Sequence, residues 1–451
     1  MGGFGKILII GGGKGTVRHI EALKPLCWSY IRVIVPMSDT GGSTGRIRQD
    51  LDTSPWGDTR RVLGALAPCG SLMGLLFEYR FPKIDPQDAE LVSVECWNKY
   101  AEQLASRATH VEARFCRVFK HCFSGHPLAP YHHLLGFRSR IYAGKLLGSI
   151  ILAALSALEG GPVAGLQAAA TLLDILPRQY RDIEQQLAAS KAPMEVVMPS
   201  EEVVGNLILA ALDEIEKDFD EAIRSAARLL DTRGAVYPCS RERLMLRAYL
   251  KDGDYLEGQS RVSHDKTRKS RIERVMLLGP SKVPEYDYDT NPDANPYAVR
   301  EIEESDTIFI GPGALHASIL ASAALRQIAK ALVTSSARKI YWLNTAIRWL
   351  ETRGFGPEEH VRAILDHVQF TDEQNHVQGI KLDLVVVNSR FPEVPEGVEL
   401  LRWDQDTICG IPVLAADLID ESDLARGSYY LHDREKIRAI LPKVLERSKS
   451  R

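Results

Sequence analysis

The chain has 451 residues, 45% hydrophobic and 25% charged, enough for one large α/β domain with an insertion or for two or three lobes. Its 56 basic and 59 acidic residues leave a net charge of −3, so neither the basic excess of a nucleic-acid binder nor an acidic solvating tail is present. No uninterrupted apolar run reaches the roughly 18 residues a membrane span requires, and "LLGSIILAALSAL", Leu146–Leu158, reads as a buried helix instead.

The first predicted element is the apolar run Lys6–Ile10, suited to a buried parallel strand. It begins too close to the N-terminus to leave room for a signal peptide, so a cytoplasmic location is expected. The seven cysteines, at 27, 69, 96, 116, 122, 239 and 409, form no CxxC pair. They read as reduced thiols, and zinc is not expected. After the strand come four glycines in five residues, then Ile20, Leu23 and Leu26 at roughly helical spacing, then a strand at Ile31–Val35. That order opens a doubly wound sheet.

From about Ile84 to Pro199 helical patterns dominate, including Asp88–Ser106, Gly144–Leu158 and Arg181–Ala189. This stretch, 84–199, is expected to be a mostly helical insertion or lid in a Rossmann-like domain formed by 1–83 and 200–451. The cluster His121, His126, His132 and His133 within it lacks regular metal spacing and reads as an ordinary polar surface. A long helical pattern from Val203 follows, then short strands near Ala235–Tyr237, Leu244–Leu250 and Arg271–Leu278, with Ser263–Arg271 a solvated loop. Pro284–Tyr297 is turn-rich. The last elements are strand Thr307–Ile310, a "GPGA" turn, a helix to about Leu332, strand Ile340–Leu343, helix Pro357–Val368, strand Leu384–Val387 and helix Asp433–Leu445.

Two glycine turns carry the chemistry. A strand that ends in glycines and passes into a helix exposes backbone N–H groups at the positive end of the helix dipole, which favours an anion, typically phosphate. Gly11, Gly12, Gly13 and Gly15 permit close approach there, and Lys14 adds a charge. The Walker pattern requires Ser or Thr after its Lys, where Gly15 stands; the dinucleotide pattern requires Gly where Thr16 stands. The second turn is Gly311-Pro312-Gly313. Both are expected at the carboxyl ends of parallel strands, where ligands bind. Asp39 stands just beyond the second strand, placed for a ribose, a metal or an attacking hydroxyl. Arg46, Arg48, Arg60 and Arg61 are placed for phosphate oxygens. Asp58, taken alone, reads as a helix cap before it reads as a catalytic group. Tyr341, Trp342 and Trp349 read as packing between helix and sheet.

In "IGGGKGT", "DTGGSTGRIRQDL", "PWGDTRRVLGAL", "GNLILAALDEI", "RGAVYP", "IGPGALHASIL" and "LHDREKI" the chain resembles the CofD/YvcK family, over roughly residues 6–81 and 203–445. The resemblance implies a Rossmann-like α/β fold, a homodimer and a nucleotide site lined by Gly11–Gly13, Asn206 and Gly311–Gly313. Asp39 and Asp58 become the carboxylates for Mg²⁺ or for general-base work, and no tightly bound organic cofactor is expected. One branch of the family consists of YvcK-like proteins that bind UDP-sugars in a regulatory or metabolic role. The other consists of 2-phospho-L-lactate transferases that move a phospholactyl group from a guanylylated donor to a deazaflavin. The PxGDxR pattern in "PWGDTRRVL" favours the first. The chain departs from the YvcK-like pattern at Lys14, at Thr40, at Glu201 and Glu202, and at "TAIRWLE", Thr345–Glu351, where the family has TQxGET. An NAD-dependent oxidoreductase has only the strand–glycine–helix order in its favour, and a scaffold without a small ligand is the remaining alternative.

Overall fold

Runs such as Ile7–Ile10, Thr307–Ile310 and Leu384–Asn388 are buried at every position, the mark of parallel strands covered on both faces. Each fully buried aliphatic side chain among them contributes about 1.5–3 kcal/mol. The computed structural model describes residues 5–39, 54–69, 71, 74, 77–78, 203–216, 218–281, 288–347, 350–396, 398–427 and 431–446. In chain order the strands are β1 (Ile7–Ile10), β2 (Ile31–Val35), β3 (Ala235–Pro238), β4 (Met245–Leu250), β5 (Tyr255–Glu257), β6 (Ile272–Pro280), β7 (Tyr288–Asp289), β8 (Thr307–Ile310), β9 (Arg338–Trp342), β10 (Gln369–Thr371), β11 (Val377–Gly379), β12 (Leu384–Asn388), β13 (Thr407–Ile408) and β14 (Ile411–Ala416).

Eight of them form one sheet in the order β13-β14-β12-β9-β8-β1-β2-β3, parallel except for the β13–β14 edge. The chain runs outward from β1 through β2 to β3. It then returns to the other flank of β1 at β8 and steps away through β9, β12 and β14. The reversal between β1 and β8 is a topological switch point, where open α/β sheets hold ligands beyond the strand ends. The expected Rossmann-like, mostly parallel sheet is therefore present.

The described residues fall into two compact units, one drawn from Met1–Gly45, Ser54–Pro68 and Asp231–Arg451, the other from Arg46–Thr53 and Cys69–Leu230. The first holds the large sheet, a small antiparallel sheet β5-β4-β6-β7 and the β10–β11 hairpin. The second contains helices Val204–Glu216 and Phe219–Leu229, which pack together; Asp218 caps the latter by accepting the Glu221 N–H at 3.0 Å. The expected insertion, 84–199, with its four histidines, lies outside the described residues.

Several elements differ from the sequence expectation. The helix after the second glycine turn is two pieces, Leu315–Ala323 and Arg326–Thr334, the first opening with a wide π turn in which Ser318 and Ile319 both donate to the Ala314 carbonyl. Helix Pro296–Glu304, capped by Asn295, occupies part of the turn-rich stretch, because Pro at its first position and a side-chain cap suffice to start it. Strand β14 and the β10–β11 hairpin were not anticipated; they are short, and half-buried or exposed. Leu26 is 42% exposed, its place on the buried face of helix Lys14–Cys27 being taken by Ala22 and Cys27.

Candidate functional site

The first turn follows β1 directly. Gly11 N–H still belongs to the sheet and donates to the Ile34 carbonyl at 3.0 Å. Gly13 then stands as the N-cap of helix Lys14–Cys27, which has no side-chain cap and no acidic residue in its first turn. The glycines divide by role. A Cβ on Gly12 would lie 2.5 Å from the Asp58 Cβ, and one on Gly15 would lie 2.7 Å from the Pro312 carbonyl oxygen. These two are required by packing. A Cβ on Gly13 would meet nothing within 4 Å, so this residue alone of the three faces open space.

Asp58 sits in the first turn of helix Trp56–Leu66, which packs on the Lys14–Cys27 helix. Its carboxylate accepts from Arg61 at 2.8 Å. Burial pushes the carboxyl up to about 6; Arg61 opposes that rise, and the nearby Asp39 adds to it. Asp39 and Asp58 thus come together, both buried, with Asp58 beside Gly12. Three buried hydroxyls, Thr16 Oγ1, Ser38 Oγ and Thr59 Oγ1, flank these groups and have no hydrogen-bond partner among the described residues. Buried polar groups are nearly always paired, so three orphans around one turn point to a polar ligand.

The second turn, Gly311–Gly313, leaves the adjacent strand β8, and its Gly311–Pro312 peptide is cis. Gly311, at φ 70°, donates to the Ile10 carbonyl at 3.2 Å and so ties the two turns together. The Gly313 N–H donates to Asn344 Oδ1 at 3.1 Å, while Asn344 Nδ2 donates to the Gly313 carbonyl at 2.8 Å. Beyond it, Glu351 Oε2 accepts the Ala317 N–H at 2.9 Å, while the buried Glu351 Oε1, His316 Nδ1 and Ser318 Oγ have no hydrogen-bond partner among the described residues. Burial raises Glu351 to about 7 in spite of the backbone N–H groups and the Arg268 charge near it. A Cβ on Gly313 would meet nothing within 4 Å.

The structure therefore brings Gly11, Gly12, Gly13, Lys14, Gly15, Asp39, Asp58, Arg60, Gly311, Pro312 and Gly313 into one unit. Lys14 is exposed and Arg60 is buried. Asn206 is buried in the first turn of helix Val204–Glu216, in the other unit. Arg46, Arg48, Thr40, Glu201, Glu202 and Trp349 lie outside the described residues. Tyr341 and Trp342 are core side chains of β9. Sequence reasoning missed Thr16, Ser38 and Thr59, although each lies inside or beside a quoted motif. It also missed Asn344 and Glu351, because side chains that reach back to a backbone turn from 31 to 34 residues away have no local pattern.

The family described as 2-phospho-L-lactate transferase CofD matches residues 7–180 and 178–418. The Gluconeogenesis factor of Listeria innocua is 25% identical over 420 residues, 93% of this chain and 90% of that protein. The Gluconeogenesis factor of Halalkalibacterium halodurans is 26% identical over 363 residues, 80% and 73% of the two chains. Among solved structures, a crystal structure of a UPF0052-family protein from Bacillus halodurans superposes with a TM-score of 0.59 at 22% identity, covering 97% of this chain and 99% of its own, and so shares the fold.

Proposed function

The chain belongs to the family described as 2-phospho-L-lactate transferase CofD, and from that premise we propose that it binds a nucleotide or nucleotide-sugar, of the GDP or UDP-sugar class, at the switch point. Its role on this reading is regulatory or metabolic, of the kind named in the gluconeogenesis-factor relatives. The observation that carries the reading is the N-terminus of helix Lys14–Cys27. It lacks a side-chain cap, opens at the switch point through Gly13 and is flanked by the three orphan hydroxyls. Backbone N–H groups and the helix dipole there stabilise phosphate, Lys14 adds charge, and Thr16 supplies a donor. Within the same unit Arg60 and Gly311–Gly313 add to the lining that the family implies, and the proposed working state is a homodimer.

The test is thermal unfolding with GDP, UDP-N-acetylglucosamine, NAD and a deazaflavin, each with and without Mg²⁺. A ligand at 100 times its dissociation constant stabilises the fold by about 2.7 kcal/mol. A shift with the nucleotide or the UDP-sugar is expected; silence across the panel rejects the reading, and a shift with NAD alone replaces it.

A second reading, phosphoryl-group transfer, has one observation in its favour: the Asp39–Asp58 pair. Two hard oxygen donors so close that Asp39 raises the Asp58 carboxyl suit Mg²⁺, which binds through one or two carboxylates and completes its shell from phosphate and water. Asp39 and Asp58 would hold the ion, which when bound would offset the charge of a transferring phosphoryl group. Asp58, braced by Arg61, and the helix N-terminus would orient that group. This reading predicts a GDP shift that requires Mg²⁺ and disappears in Asp58→Asn.

A further inference from the structure

The two glycine turns look interchangeable in sequence, and both were expected to face phosphate. Accounting for their backbone donors separates them. At the second turn Gly311 N–H goes to Ile10, Pro312 has none, and Gly313 N–H goes to Asn344. The Ala317 N–H goes to Glu351 Oε2, and those of Ser318 and Ile319 to the Ala314 carbonyl. The chain has thus placed its own carboxyl at the start of this helix. Glu351 is 1% exposed, whereas a Cβ on Gly313 would meet nothing within 4 Å among the described residues. An anion brought to this turn would find the Gly311, Gly313 and Ala317 donors occupied and would meet a carboxyl already there.

We propose that the second turn is a wall for the uncharged part of the ligand, its nucleoside or sugar, and that Asn344 and Glu351 are the positioning residues that make it so by consuming its donors from within. The inference rests on the nucleotide reading and orients the ligand: phosphate toward Gly13, neutral moiety against Gly313. Asn344 grips both polar groups of the Gly313 backbone, which sets the height of that wall. Glu351 fixes the start of the helix behind it.

Gly13→Val and Gly313→Val test this cleanly, because a Cβ at either position meets nothing within 4 Å among the described residues and neither glycine has a positive φ. Each variant, with the wild type, is titrated with the nucleotide diphosphate that stabilises the wild type and with inorganic pyrophosphate as its competitor. Gly13→Val should weaken both ligands by about a hundredfold, the loss of charge-assisted bonds to the phosphate. Gly313→Val should weaken the nucleotide about tenfold or more and leave pyrophosphate within about twofold. Pyrophosphate weakened equally by Gly313→Val overturns the proposal.

Hydrogen exchange supplies the second measurement. In the ligand-free protein the Ala317 amide should exchange slowly, and Glu351→Ala should release it. Added nucleotide should protect the amides around Lys14–Thr16 and leave Ala317 unchanged. Nucleotide-dependent protection at both turns also overturns the proposal. Glu351→Gln, which keeps an acceptor oxygen, should retain more of the nucleotide affinity than Glu351→Ala, with pyrophosphate unaffected in either. Failure of the nucleotide reading itself is distinct: no nucleotide then binds the wild type, while the exchange contrast between wild type and Glu351→Ala still reads the internal anion.

Discussion

The turns that follow β1 and β8 leave neighbouring strands, are joined by the hydrogen bond from Gly311 to Ile10, and are finished by opposite means. The first opens into a helix with no side-chain cap, beside two carboxylates and three unpaired hydroxyls. The second has a buried carboxyl at its helix start and is gripped by a carboxamide, although Glu351 Oε1, His316 Nδ1 and Ser318 Oγ are also unpaired among the described residues. On the proposed reading, the difference teaches that glycine at a strand end is open to an anion only where the fold has not already placed a carboxyl there. What supports each turn differs as well. Behind the first lies His19, whose Nδ1–H donates to the Gly15 carbonyl at 3.2 Å, with the Trp342 ring 4.5 Å away and His432 5.8 Å away. Behind the second lies Glu351.

The strongest way to break the comparison is acid. Burial, helped by the neighbouring His432, holds His19 down to about 3, and burial holds His432 down to about 4, against an ordinary 6.5. Both are neutral in the folded protein. Once unfolded they take up protons below about pH 6.5, so the stability they confer is present above that pH and is lost as pH falls toward their folded values. The loss is on the order of 5 kcal/mol. Urea unfolding from pH 7.5 to 4.5 should show the wild type weakening steeply and His19→Phe weakening less. Equal slopes would remove the neutral histidine from beneath the first turn.

Glu351 has the opposite sign. Its carboxyl is raised from 4.5 to about 7, so the stability from its neutral form is complete below about pH 4.5 and lost as pH rises through 7. On the order of 3 kcal/mol is involved. The stability of wild type minus that of Glu351→Gln, measured from pH 5 to 8, should therefore fall with rising pH. A flat difference would mean that the Glu351 carboxyl is not held in its neutral form.

Much of this was legible in the residues. The central strands β1, β2, β8 and β12 show as apolar runs because they are buried on both faces, and the glycine turns show because glycine there is a backbone requirement. Asp58 was visible in "PWGDTRRVL", but only the family resemblance paired it with Asp39, since 19 positions separate them and no local spacing rule joins the two. Edge elements such as β14, and side chains such as Asn344 and Glu351 that serve a distant backbone, are specified by tertiary contact. Local periodicity has no term for them. The sequence also could not sort the glycines of the first turn by role, because packing and ligand approach call for the same residue.

That sorting yields the finest prediction, one that reads stability alone. At Gly12 an added Cβ would come within 2.6 Å of Asp58 Oδ2 as well as 2.5 Å of its Cβ, and at Gly15 it would press on a backbone carbonyl that cannot rotate away. Overpacking of this kind costs about 1–3 kcal/mol, and at Gly15 the helical gain of about 1 kcal/mol from Gly to Ala offsets part of it. Gly12→Ala should therefore be the more destabilised of the two in urea. Gly13→Ala and Gly313→Ala should both stay within about 0.5 kcal/mol of wild type, the range of a surface change that touches nothing. If Gly13→Ala unfolded as readily as Gly12→Ala, the first turn would be as closed as the second, and the asymmetry between them would reduce to which carboxylate stands behind each.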